Sequence, residues 1–101
     1  MDFKIDRKVW LRGEGGSRSR LLRPSDGMMC CLGQVALQCG YRPEDILNKQ
    51  TPGAAGISLP ITESEVAAMA ENDLVHTSDY EKEQRLSAIF EYHGHTITFH
   101  D

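Results

Sequence analysis

The side chains of this chain that could serve as nucleophile, base or metal ligand are Cys30, Cys31 and Cys39 in its first half and His76, His93, His95 and His100 near its end. A thiolate beside an imidazole is the machinery of a thiol-dependent hydrolase. Cys30 lies off the apolar stripe of its helix, so it is the candidate nucleophile, with one of the four histidines as base. Such a pair needs hydrogen-bond reach across most of the sequence, and no local signature of a thiol-enzyme family accompanies it. Tetrahedral zinc asks for thiolates or imidazoles arriving as two close pairs; adjacent Cys30 and Cys31, with Cys39 further on, supply no C-x2-C spacing. Cys31 and Cys39 fall on an apolar helical stripe and read as small buried hydrophobes. No catalytic, metal or cofactor-binding residue is therefore assigned, and the expectation is a protein without enzymatic activity.

Charge is the second source of chemistry. The formal net charge is −4, which gives no general attraction to nucleic acid or to an anionic membrane. Residues 1–50 hold nine bases against six acids, net +3, whereas residues 51–101 hold two bases against nine acids, net −7. Arg12, Arg18, Arg20 and Arg23 surround Gly13-Glu14-Gly15-Gly16, and arginine suits bidentate phosphate contact, so this loop could be an anion or nucleic-acid finger. Neither G-x-x-x-x-G-K-[ST] nor a correctly placed G-x-G-x-x-G is present, and a solvated hairpin tip reads as well. Glu63, Glu65, Glu71, Asp73, Asp79, Glu81, Glu83 and Glu91 cluster on two predicted helices, as a phosphate-like row or as ordinary solvated faces. Trp10 stands on the opposite parity from the apolar face of its strand, beside Lys8 and Arg12, where it would be an interface anchor or cover the second face of the sheet.

The elements that must carry these groups follow from periodicity. Phe3, Ile5, Val9 and Leu11 share one parity, the pattern of a strand with one buried face, broken by a bend or bulge at Asp6-Arg7. Residues 13–19 read as a mobile loop, and Pro24-Ser25-Asp26-Gly27 as the turn of a second hairpin. Met28, Cys31, Leu32, Val35, Ala36 and Cys39 form a helical stripe ended by Gly40, with Gly33 allowing a neighbour to approach closely. Pro43 opens a short helix, residues 49–60 read as an irregular connector, and Thr62 with Glu65 forms a capping box flanked by an Ile61–Val66 staple. The helix behind it would turn Val66, Met69, Ala70 and Leu74 inward. A second box, Ser78 with Glu81, starts a helix with Leu86, Ile89 and Phe90 inward and Gly94 as terminator, before a final strand at Thr96-Ile97-Thr98-Phe99.

A chain of 101 residues, 40% of them apolar, fits one domain, residues 1–101, with one modest core. The expected fold is α+β: a small antiparallel sheet, made of the N-terminal strand or hairpin and the C-terminal strand, packed by three to four helices. A helical core with a peripheral hairpin is the alternative. No apolar run reaches a membrane span, and the odd cysteine count points away from a secreted disulfide framework, so the expected location is cytoplasmic, in a bacterial host.

Lys4-Ile5-Asp6-Arg7-x-x-Trp10-x-Arg12-Gly13, Leu21-Leu22, Met29-Cys30-Cys31-Leu32-Gly33 and Gly40-x-x-Pro43-Glu44-Asp45-Ile46 together resemble small accessory proteins of phages and other mobile elements. The resemblance implies a non-enzymatic binder that inhibits or modulates a host protein, anti-CRISPR and other anti-defence inhibitors among them, and it carries over no site residue. The expected partner is thus a host protein or complex, met through Trp10, Arg12, Arg18 and Arg20 on one side and Asp79, Glu81 and Glu83 on the other. Alternatives are a nucleic-acid-associated protein using the basic loop 12–23 and a thiol enzyme using Cys30. A homodimer through an exposed edge strand is also open.

Overall fold

The computed structural model describes residues 1–12, 19–74 and 77–101, with the backbone alone at Thr62. Strand β1 (Asp2–Asp6) alternates charged and apolar residues and turns Phe3 and Ile5 into the core, as a half-buried strand must. Helices α1 (Cys31–Gln38), α2 (Pro43–Ile46), α3 (Pro52–Ala55), α4 (Glu65–Asn72) and α5 (Asp79–Tyr92) follow, with a 3₁₀ turn at Thr62–Ser64 leading into α4, and strand β2 is Thr96–His100. The first and last strands pair and are packed by helices, an α+β fold. Among the described residues no helix is long and apolar enough to cross a membrane.

The sheet is parallel, not antiparallel: Asp2 stands beside Thr96 and Asp6 beside His100. A short hairpin obliges antiparallel pairing, whereas the long helical connection between these strands leaves the parallel direction open to them. The outward edge of β1 is closed by side chains. Gln38 accepts from the Lys4 N–H (2.9 Å) and donates to the Lys4 carbonyl (2.7 Å), and Gln34 does the same for Asp6 (2.8 and 3.1 Å). Two glutamines one helical turn apart on α1 thus stand in for a third strand.

The break at Asp6-Arg7 is a turn, closed by Val9 N–H to the Asp6 carbonyl (3.3 Å) and Trp10 N–H to the Arg7 carbonyl (3.4 Å). The turn resets the parity of the strand. Trp10, expected on the outer face, is therefore fully buried, with its ring 4.8 Å from that of Phe99, and Val9 is half-buried. The Pro24–Gly27 turn forms, with Gly27 at φ 75° and a bond from Arg23 N–H to the Met28 carbonyl (2.8 Å). Its flanks do not make a hairpin: Met29 bridges Trp10 and Leu22 bridges Leu47, each in parallel.

Helix α1 buries Cys31, Leu32, Val35 and Ala36 as the stripe requires, with Met28 and Cys30 ahead of its first turn and Gly40 (φ 98°) just past its end. The connector 49–60 contains a helical turn that the sequence reading missed, α3, capped where Thr51 Oγ1 accepts the Ala54 N–H (3.0 Å). Helix α4 starts later than the capping box implied. The Glu65 carboxylate accepts the Leu59 N–H (3.0 Å), and the 3₁₀ turn takes up the preceding residues. The inward face is rotated by about one residue, roughly 100°. Ala68, Met69 and Asn72 face the core, while Val66 is 82% exposed and Ala70 and Leu74 are also outside. The Ile61–Val66 staple does not form. At α5 Ser78 Oγ accepts the Glu81 N–H (3.2 Å), Leu86 and Phe90 point inward with Phe90 edge-on to Phe3 (5.7 Å), and Gly94 (φ 79°) ends the helix.

Gly33 is where α1 meets the chain at Leu21. A methyl group there would stand 1.8 Å from the Leu21 carbonyl oxygen, a backbone atom that cannot rotate away. Gly33→Ala is expected to destabilise the fold by about 3 kcal/mol, measured by urea unfolding. Gly53→Ala is the control. Its nearest neighbour is Thr51 Oγ1 at 3.9 Å, so the midpoint should hold or rise.

Candidate functional site

The basic first half and the acidic second half of the chain meet in space. The Arg7 guanidinium holds Glu83 in a two-point pair (Nε to Oε2 3.0 Å, Nη2 to Oε1 2.8 Å) and reaches Asp101 (3.2 Å). Arg12 lies 4.5 Å above the Trp10 ring, donates to Asp79 (2.5 Å) and donates to the Arg7 carbonyl (3.0 Å). Lys82, buried on α5, donates from Nζ to the Arg12 carbonyl (3.1 Å). Burial lowers its pKa, against the attraction of Asp79 and Asp73. The charge segregation seen along the chain is in large part a set of internal clamps between the N-terminal segment and α5.

Trp10 is covered by Arg12 and by the core, so it presents no surface to a partner. Arg12 and Asp79 are paired with each other, and Glu83, whose side chain is 13% exposed, is spent on Arg7. Arg20 is half-buried, and its carbonyl accepts the Cys30 N–H (3.0 Å). Glu81 is exposed, and its carboxylate has no hydrogen bond or ion pair among the described residues. Of the expected mobile loop 13–19, residues 13–18 with Arg18 lie outside the described residues, as does His76, whereas Ser19 is buried and donates to the Leu11 carbonyl (3.2 Å) and the Asp73 carboxylate (3.1 Å).

Beneath the clamps sits Asn72, which sequence reasoning passed over. It is fully buried. Its Oδ1 accepts the Trp10 indole N–H (2.7 Å) and the Cys31 N–H (3.1 Å), and its Nδ2 donates to the Leu11 carbonyl (2.9 Å), Ser19 Oγ (3.4 Å) and Asp73 Oδ1 (2.9 Å). The available signal was a poor helix former one turn beyond Met69, at a position of the core-facing side.

The thiols are packing material. Cys30 and Cys31 are fully buried, and the Cys30 thiol lies 3.8 Å from the Met69 sulfur. Burial pushes the Cys30 thiol up to about 12 and raises Cys31 as well. The described histidines are elsewhere: His93 on Ser64 Oγ (2.9 Å), His95 on the Met1 amine (2.9 Å) and His100 on Thr98 Oγ1 (2.8 Å). None of them reaches Cys30, so the expected thiol–imidazole pair is not assembled from these residues. Among the described residues no cluster of three or more Cys, His, Asp or Glu could hold a metal ion.

Among the described residues, a groove lies beside α4 and an exposed face on α5. A groove of about 320 Å³ beside α4 is lined by Gln50, Thr51, Val66, Met69, Ala70 and Asp73. The outward face of α5 carries Tyr80, Glu81, Gln84, Ala88, Glu91 and Tyr92, with Tyr80 71% and Tyr92 82% exposed. At 100° per residue these positions fall within an arc of roughly 120°, with the tyrosines on its two flanks and the acids among them. The tyrosines were legible as the side opposite Leu86 and Phe90, but their exposure was not. Comparison of the chain with protein families, with curated proteins and with solved structures finds no match.

Two measurements follow from this geometry. At pH 8 a disulfide reagent should modify Cys39, which is half-buried, and spare Cys30 and Cys31, with all three reacting in urea. Asn72→Ala orphans the Trp10 and Cys31 N–H groups in the core and should cost about 3 kcal/mol in the same unfolding assay.

Proposed function

We propose that this chain is a small binding protein without catalysis that occupies the surface of another protein through the outward face of α5. The observation that carries the reading is the pair of tyrosines, Tyr80 and Tyr92, exposed at 71% and 82% on a helix whose other face is anchored in the core. Tyrosine supplies a large amphipathic contact at low entropic cost and is enriched where binding energy concentrates. Between them Glu81 and Glu91 carry carboxylates with no hydrogen bond or ion pair among the described residues, so the surface asks for a basic partner. The resemblance to mobile-element accessory proteins adds a role: inhibiting or modulating a host protein, as anti-defence inhibitors do.

The nucleic-acid reading has less support. Arg12 is spent on Asp79 and Trp10, and Arg23 on Asp26, which removes two of the four arginines counted toward a basic loop. The burial of Cys30 likewise weakens the thiol-enzyme alternative.

Immobilised wild-type protein and a Tyr80→Ala, Tyr92→Ala double variant, both checked for native circular dichroism, should be compared in capture from bacterial lysate. The expected result is a stoichiometric protein retained by the wild type, lost from the double variant, and released by salt at about 0.5 M, which screens exposed charge pairs. Equal recovery on both columns, or nothing on either, would overturn the reading.

A further inference from the structure

We infer that the element received by α5 is a basic α-helix of the partner, laid across α5 between Tyr80 and Tyr92. This rests on the reading of α5 as the binding face and names the kind of partner that fits it. Tyr80, Gln84, Ala88 and Tyr92 follow one another at four-residue steps, so they form one continuous ridge of the helix surface. At 1.5 Å per residue the two tyrosines stand about 18 Å apart along the axis. Between them the ridge drops to Gln84 and Ala88, both exposed, the second with nothing beyond its Cβ. The Tyr92 post is braced: its ring meets His93 edge-on at 5.2 Å, and His93 is held by Ser64 Oγ (2.9 Å).

The shape of this saddle selects the occupant. A helix with its side chains is about 10–12 Å across, so one helix fits with a tyrosine against each side, and the short Ala88 beneath it permits axes about 8–10 Å apart. An extended strand gains less, because the N–H and C=O groups of a helix interior are bonded to each other and offer a strand no ladder.

Charge selects the chemistry. Glu81 and Glu91 stand on opposite sides of the saddle, each beside one tyrosine, about 15 Å apart along the axis. Among the described residues neither carboxylate has a hydrogen bond or ion pair. The two cations of α5 are engaged elsewhere: Lys82 is buried with Nζ on the Arg12 carbonyl (3.1 Å), and Arg85 leans to Glu71 of α4 (3.5 Å). A crossing helix therefore meets one acid on each side. The separation, about 16 Å, equals eleven residues of its own length, which also return to the same face after about 1,100° of turn. The partner helix carries Lys or Arg at i and i+11, with apolar side chains at i+4 and i+7 to pack against the tyrosines. A second copy of α5 fits poorly, since it would bring Glu81 and Glu91 of both chains into one contact.

The probe is an Ala-rich peptide of about 18 residues, long enough to be helical, with lysines at i and i+11 and leucines at i+4 and i+7. Titrated into the isotope-labelled protein and followed by NMR, it should shift the amides of α5 and bind at least about tenfold more tightly than the same peptide with a central proline or with glutamates in place of the lysines. Ala88→Lys, on the exposed ridge, fills the saddle and should weaken binding at least about tenfold with circular dichroism unchanged. Equal binding of the helical and proline peptides, shifts outside α5, indifference to Ala88→Lys, or no binding at about 1 mM peptide would each overturn the proposal. The two readings fail separately. A lysate protein lost with the tyrosines but not displaced by the helical peptide leaves α5 as the binding face and overturns the helical partner, whereas a column that retains nothing overturns the binding face and the helix with it.

Discussion

The interior of this protein depends on one amide. Asn72 joins the indole of Trp10, the first N–H of α1, the Leu11 carbonyl and the Ser19 hydroxyl at a point with no access to water. Each of these groups would cost on the order of 1–3 kcal/mol if buried alone, so the side chain that satisfies them together determines which way α4 is rotated. Val66 is turned outward because Asn72 is turned inward; the two lie on different sides of one helix. The groove beside α4 and its exposed apolar rim are consequences of that choice.

The charged clamps act one layer further out. An exposed ion pair contributes little to stability, typically below about 1 kcal/mol. Arg7–Glu83 and Arg12–Asp79 matter more for position: with Lys82 they hold residues 7–12 against α5, and Arg12 lies as a lid over Trp10. They also consume much of the charge that looked available. Among the described residues, the carboxylates of α5 without a hydrogen bond or ion pair are those between the two tyrosines, Glu81 and Glu91.

Much of the architecture was legible locally. The stripe of α1, the Pro43 start of α2, the Ser78 cap of α5, the strand at 96–99 and the close approach at Gly33 are written in residues close in the chain. The staple at Ile61–Val66 failed although its motif was present, because the inward turn of Asn72 sets Val66 outside, and Glu65 accepts the Leu59 amide. The candidate site was less legible. Trp10 looked exposed because period-2 alternation was carried through a turn that resets it, and Glu83 and Asp79 looked free because their partners are some seventy residues away in sequence.

The amino-acid order by itself determined the stripe and glycine stop of α1, the Pro43 start of α2, the cap and glycine stop of α5, and that the terminal strands would share a sheet under helices. These rest on capping, turn geometry and periodicity, which act over a few residues. Tertiary structure alone decided that the strands run parallel, that Trp10 is inside, that Asn72 is the shared hydrogen-bond partner and that opposite charges cancel within the molecule. Each of those is an encounter between distant segments, and its outcome depends on the three-dimensional path of everything between them.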